Sequence, residues 1–151
     1  FEKDKGNDCL ITVNGTDFCI FERGPTFYSH KFKGSGLRYE VGVCILSGKV
    51  VWINGPFECG IWPDIKIFRS ALMLELEVGE RVEADDGYLG KAPEHIKCPK
   101  YFCNTAETTR MQSTIRSRQE SVNKRFKQFG ILKQVYCHDL SDHGDGIGQL
   151  Q

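Results

Sequence analysis

Three charged residues, Arg116, Glu120 and Lys127, stand at steps of four and seven. A helix of ~3.6 residues per turn returns these steps nearly to one azimuth, so a single stripe presents all three. A carboxylate between two cations can help to bind a hard cation or a phosphate, although on spacing alone a solvated ion pair is the commoner outcome. A second acidic signal is Glu83-Ala84-Asp85-Asp86-Gly87-Tyr88. There a strand ends in acid and turns at glycine, which puts a carboxylate at the carboxyl edge of the sheet, where α/β folds keep their ligands. Two-metal phosphoryl transfer needs such groups on separate elements, with ions ~3.5–4 Å apart, one activating water and the other steadying the leaving oxygen. Taken alone, the Asp-Gly pair is an ordinary turn. Asp64, after Pro63 and before a helical run, reads as an N-cap. His95, Cys98, Cys103 and the Cys137-His138 pair could form a zinc site, but the loose Cys-x4-Cys step favours free thiols. His30-Lys31-Phe32-Lys33 and Arg38 could grip phosphates with aromatic support or form a solvated loop.

The elements that must position these residues follow from periodicity. Cys9 to Phe21 is rich in β-branched and aromatic residues and is interrupted at Asn14-Gly15, which predicts strand, break, strand. Glu22 to Gly36 carries Gly24-Pro25 and Gly34-Ser35-Gly36 and reads as a basic loop. Leu37 to Leu46 and Lys49 to Ile53, joined through Ser47-Gly48, form an antiparallel hairpin. Asn54-Gly55-Pro56 signals a turn, and Ile65, Phe68, Leu72 and Leu76 predict a helix over Asp64–Glu77. Arg81 to Asp85 is a short, parallel-type strand, and Lys91 to Asn104 is irregular. Thr105 to Phe129 lacks Gly and Pro and makes the longest helix, with Met111, Ile115, Val122, Phe126 and Phe129 as its apolar face and Gly130 as its cap. The fold class is α/β with a mixed sheet: three antiparallel strands, then helix, strand and long helix.

The 151 residues, 40% apolar and 11% aromatic, suit one domain over residues 1–151 with a real core. No apolar run approaches the ~20 residues of a membrane-spanning helix. Seven cysteines, an odd number with irregular spacing, and an N-terminus without a signal-peptide layout suit an intracellular, reduced protein. The chain opens without an initiator Met, so a fragment of a longer protein is expected. Zero net charge removes the simplest argument for a nucleic-acid binder, but the charges are segregated. Glu58–Asp86 holds eight acids against three bases, and Arg110–Lys133 holds seven bases against one acid.

The blocks Ala84-Asp85-Asp86-Gly87-Tyr88 and Arg116-x3-Glu120-x6-Lys127 resemble those of the DDE superfamily endonucleases, and within them the Harbinger-like transposases of cut-and-paste elements. Tyr28-Ser29-His30-Lys31-Phe32-Lys33, Trp52 to Phe57, Asp64 to Arg69 and Val122 to Gly130 are similar to the same family, so the resemblance runs from about Cys9 to His143. It implies an RNase H-like catalytic core with three acidic residues and two Mg²⁺ or Mn²⁺ ions. It also implies cleavage and strand transfer at transposon ends in double-stranded DNA, in the nucleus. On this resemblance Asp85 is the second carboxylate and Glu120 the third, with Asp64 a further acid near the metals. Arg116 and Lys127 orient Glu120 or contact phosphate, while Lys31, Lys33, Arg118, Lys124 and Arg125 hold the DNA backbone. A missing N-terminal DNA-reading domain or a separate DNA-binding protein is the further partner implied. The first carboxylate belongs in an Asp-Gly-Thr block, where this chain has Asn14-Gly15-Thr16. A neutral amide lacks the second anionic oxygen of a bridging ligand. Asp17 could replace it only if a bulge reversed its face. Two outcomes stand: a DNA endonuclease, or a domesticated DNA- or protein-binding derivative inactivated at Asn14. A zinc-stabilised interaction module is a third, more distant class.

Overall fold

The first strand, β1 (Cys9–Cys19), runs straight through Asn14-Gly15, where the sequence predicts a break. Its antiparallel register with β3 (Gly34–Cys44) is continuous from Ile11↔Cys44 to Cys19↔Gly36. Pairing along nine positions and β-forming residues on both sides outweigh the local turn preference of Asn-Gly. A computed structural model describes residues 9–22, 24–91, 93–98, 106–128 and 135–136. It shows a mixed α/β fold built on a six-stranded mixed sheet. β1 lies between β3 and β5 (Arg81–Glu83); β3 also carries β2 (Tyr28–Ser29) and β4 (Val50–Glu58) antiparallel, and β5 carries β6 (Ile96–Lys97) parallel. β5 is the short, parallel-type strand expected from sequence, ending at Glu83, and its partner is β1, whereas β6 falls in the stretch expected to be irregular.

Two glycine-rich stretches with loop chemistry are strand. Gly34-Ser35-Gly36 pairs with Tyr28, Ser29 and Cys19, so β3 starts three positions before the expected Leu37. β4 continues through Asn54-Gly55-Pro56 to Glu58. Gly55 has φ 151°, and a Cβ there would lie 2.6 Å from the Tyr39 ring and 2.9 Å from the Arg38 carbonyl oxygen. The glycine therefore marks close packing inside the sheet, beside a shift in register between Arg38 and Glu40.

The helix expected over Asp64–Glu77 is two pieces, α1 (Asp64–Ser70) and α2 (Leu72–Glu75), parted at Ala71. Ser70 Oγ donates to the Ile67 carbonyl at 2.7 Å, and the Ala71 N–H turns to the Phe68 carbonyl. A side-chain hydroxyl thus takes the acceptor that the next helical N–H would use, a known competitor of helix propagation. The long helix, α3 (Ala106–Gln128), lies within the span expected for it; Thr105, Phe129 and Gly130 lie outside the described residues.

The sheet separates two cores. Leu37, Tyr39, Val41, Val43, Phe18 and Ile20 pack with Val122 and Phe126 of α3. Ile11, Val13, Val82 and Ala84 pack with Phe68, Leu72 and Tyr88 on the α1 side. Along β1, Thr16 and Phe18 thus face α3, whereas Val13, Gly15 and Asp17 face α1. No helix among the described residues is long and apolar enough to cross a membrane, and no disulfide joins the five described cysteines to one another.

Candidate functional site

The parallel register sets Thr12 of β1 beside Glu83 of β5, so continuing two positions along both segments brings Asn14 level with Asp85. The α3 helix lies over this pair, held by three contacts. Thr16 Oγ1 donates to Asn123 Oδ1 at 2.7 Å. Gln119 Nε2 donates to the Val41 carbonyl at 3.2 Å, and Phe126 meets Phe18 edge-on at 6.4 Å between ring centroids. These fix the azimuth of the helix. Asn14, Asp85 and Glu120, from three separate segments, consequently line one cleft of about 250 Å³, together with Thr12, Glu83 and Arg116. Asp85 is held where its segment leaves the strand. Its Oδ1 accepts the Gly87 N–H at 2.9 Å, and its carbonyl accepts the Cys98 thiol at 3.2 Å.

Asp64 and Asp17 belong to the other side of β1. Asp64 is the first residue of α1, and the cap position is Pro63, so the carboxylate makes no N-cap bond. It lies instead against Gly15, where a Cβ would overlap it, and its Oδ2 would be 3.3 Å from a Cβ at Gly87. Gly15 is thus required by the approach of Asp64, not by a turn. Arg38 Nε stands 3.4 Å from Asp64 Oδ1. Burial holds the Asp64 carboxyl above its usual range, with Lys31 and Arg38 opposing and Asp17 and Asp85 adding to the shift.

Asp17 is engaged at both oxygens. Arg38 Nε and Nη2 donate to them at 2.7 and 2.9 Å, and Ser29 Oγ donates to Oδ2 at 2.6 Å. Burial alone would push its carboxyl up, but the Arg38, Lys31 and Ser29 contacts together hold it below the usual range. The β1–β3 register has no bulge between Asn14 and Asp17. Asp17 therefore faces away from the cleft and is spent on Arg38.

Glu83, which the sequence marks only as part of a strand, also lines the cleft. Burial raises its pKa, with Lys97 and Arg116 opposing. The sequence signal for it is the step of two to Asp85, which gives both residues one strand face. Below the sheet, Glu40 is fully buried and accepts the Trp52 Nε1–H at 3.0 Å. Burial first and the Asp64 charge next push its carboxyl up to about 7, against the pull of Trp52 and Tyr88.

The expected DNA-contacting residues fall into separate places. Arg116 lines the cleft. Lys31 and Lys127 line a neighbouring pocket of about 220 Å³ that also includes Asn14, Thr16, Asp17 and Asn123; Lys31 Nζ donates to the Gly15 carbonyl and stands 4.0 Å from Asp17 Oδ1. Arg118 and Arg125 lie on the opposite flank of α3. Lys33 and Lys124 are exposed, Lys33 in a turn with φ 56°. Of the zinc candidates, Cys103, Cys137 and His138 lie outside the described residues, and His95 sits beside Glu94 at 3.7 Å.

No family model, curated protein or solved structure matches this chain. The chemistry of the site therefore rests on its own donors. Asn14 supplies a neutral oxygen where a pair of divalent ions needs a shared carboxylate, and Asp17 is turned away. Among the described residues no three His, Cys, Asp or Glu side chains form a group able to hold a metal. The set Asn14, Asp85 and Glu120 by itself lacks the shared anionic oxygen that a pair of ions requires. What the arrangement offers is an acidic cleft next to a lysine-lined pocket, with Asn14 bordering both.

Proposed function

We propose that this chain is an RNase H-like domain of the DDE endonuclease and transposase type that binds double-stranded DNA in the nucleus, with phosphodiester cleavage disabled at Asn14. The observation that carries the reading is the meeting of Asn14, Asp85 and Glu120 on one cleft. The sheet supports it: β4, β3 and β1 run antiparallel, β5 and β6 follow in parallel, and α3 crosses one face. An Asn amide, unlike a carboxylate, donates hydrogen bonds, so Asn14 can hold a phosphate oxygen with Lys31 and Lys127. Arg116 and Glu120 then set the charge of the cleft wall. In this reading the domain keeps its grip on the backbone and lacks the ligand that cutting requires.

Supercoiled-plasmid nicking in Mg²⁺ or Mn²⁺ tests it. The wild-type chain is expected to be silent, Asn14→Asp to nick, and Asn14→Asp with Glu120→Gln to be silent again. Silence of Asn14→Asp, with duplex binding intact, would overturn the assignment of Asn14 as the disabling position. A second reading, an active endonuclease, is favoured by Glu83, which brings a third carboxylate to the cleft. Nicking by wild type that disappears in Glu83→Gln would establish it.

A further inference from the structure

On the flank of α3 away from the acidic cleft, a groove of about 660 Å³ runs between the helix and the turn joining β3 to β4. We propose that this groove seats the phosphodiester backbone along one strand of double-stranded DNA; the proposal rests on the DNA-binding reading above and adds where the duplex lies.

The groove has cations on both walls, Lys49 from the turn and Arg118 and Arg125 from the helix, and no acidic residue lines it among the described residues. None of the three forms an ion pair among the described residues. Arg118 and Arg125 are seven positions apart on one helix, about 10.5 Å along its axis. Rooted that far apart on long side chains, the two guanidinium groups can meet different phosphates of a single backbone. Arginine forks and lysine point charges are the usual partners of phosphate oxygens. The Ser47 and Ser117 hydroxyls add further groups able to bond phosphate oxygens at the rim.

Duplex is favoured over single strand because the aromatic residue that lines the groove, Phe126, is buried in the core and offers no ring for a base to stack on. Cations on both walls with no acidic residue between them among the described residues favour a polyanion as the occupant. The helix thus separates two surfaces of opposite charge, the carboxylates on the β5 side and the cations on the β4 side.

Fluorescence anisotropy with a labelled mixed-sequence duplex of about 30 base pairs, at about 50 to 200 mM KCl, tests the groove on the full chain. The triple variant Lys49→Gln, Arg118→Gln, Arg125→Gln is expected to lower the slope of log K against log salt by about 2.7, at about 0.9 for each phosphate no longer neutralised. Lys31→Gln with Lys127→Gln should leave that groove contribution in place, and Lys49→Arg should keep the wild-type slope. Unchanged far-ultraviolet dichroism would show that the three substitutions, at exposed Lys49 and Arg125 and half-buried Arg118, left the fold alone. Wild-type binding with an unchanged slope in the triple variant would overturn the groove while leaving the DNA reading intact. No duplex binding by wild type at the lowest salt would overturn both. Stronger competition by a single strand or by polyglutamate, abolished in the triple variant, would overturn the duplex as occupant.

Discussion

Replacing Glu40 by Gln should raise stability at neutral pH and leave it unchanged in acid. Glu40 is fully buried, and its carboxyl is pushed from 4.5 up to about 7 by burial, with the nearby Asp64 charge contributing. Between those two values the folded chain binds the proton and the unfolded chain does not, so stability falls as pH rises through that window. At about 1.4 kcal/mol per pH step the full loss is about 3 kcal/mol, complete above about pH 7. Glutamine keeps an acceptor for the Trp52 N–H and carries no charge. The variant should therefore exceed wild type by about 2–3 kcal/mol at pH 8 and match it below pH 4.5. In a domain of this size that is a rise in melting temperature of about 5–10 °C. Asp64 and Glu83, also raised, add to the same downward trend, while Asp17, lowered, acts below its usual range, where its contribution is lost as pH falls. The difference between the two proteins isolates Glu40. Urea unfolding of both across pH 4 to 8 measures it, and a stability gap that does not widen with pH would refute the reasoning.

Asp17→Ala leaves the buried Arg38 guanidinium without its bidentate partner and should destabilise the chain by about 3–5 kcal/mol in urea unfolding. Because Asp17 faces away from the cleft, the same change should not abolish nicking by Asn14→Asp assayed at a temperature where the double variant stays folded. Gly15→Ala sets a methyl group against Asp64 and should cost about 1–3 kcal/mol, part of which Asp64→Ala recovers in a double-mutant cycle. Phe126→Ala removes an edge-on ring from the α3 core and should cost about 3–5 kcal/mol by the same unfolding assay.

The strands that alternate or repeat β-formers are legible in the sequence, as is the long helix, because each rests on a pattern many residues long. The meeting of Asn14, Asp85 and Glu120 on one cleft is expected only through the resemblance of their short blocks to a family, not from any periodicity. Single residues taken as punctuation mislead. Asn14-Gly15 and Gly55-Pro56 have turn chemistry, yet both lie inside strands, the glycines being there for Asp64 and Tyr39. The helix break at Ala71 carries no Gly or Pro, and its cause is one serine hydroxyl. Gln119 and the Asp17–Arg38 pair escape a reading of the sequence because their roles are tertiary: nothing in a one-dimensional pattern shows which carbonyl or guanidinium will stand opposite.

The regular register of β1 also dictates where along the strand a carboxylate could enter the cleft. Position parity decides which side of the sheet a side chain serves, so an acid cannot move from 17 to 14, or be borrowed from 13 or 15, without dislocating the strand. The neighbouring even positions are Thr12 and Thr16. Thr16 is committed to Asn123, which leaves Thr12, already on the cleft wall, as the sole alternative address on this strand for a replacement carboxylate. A designer seeking to place a carboxylate on this part of the cleft wall thus has two substitutions to choose between on β1, Asn14→Asp and Thr12→Asp.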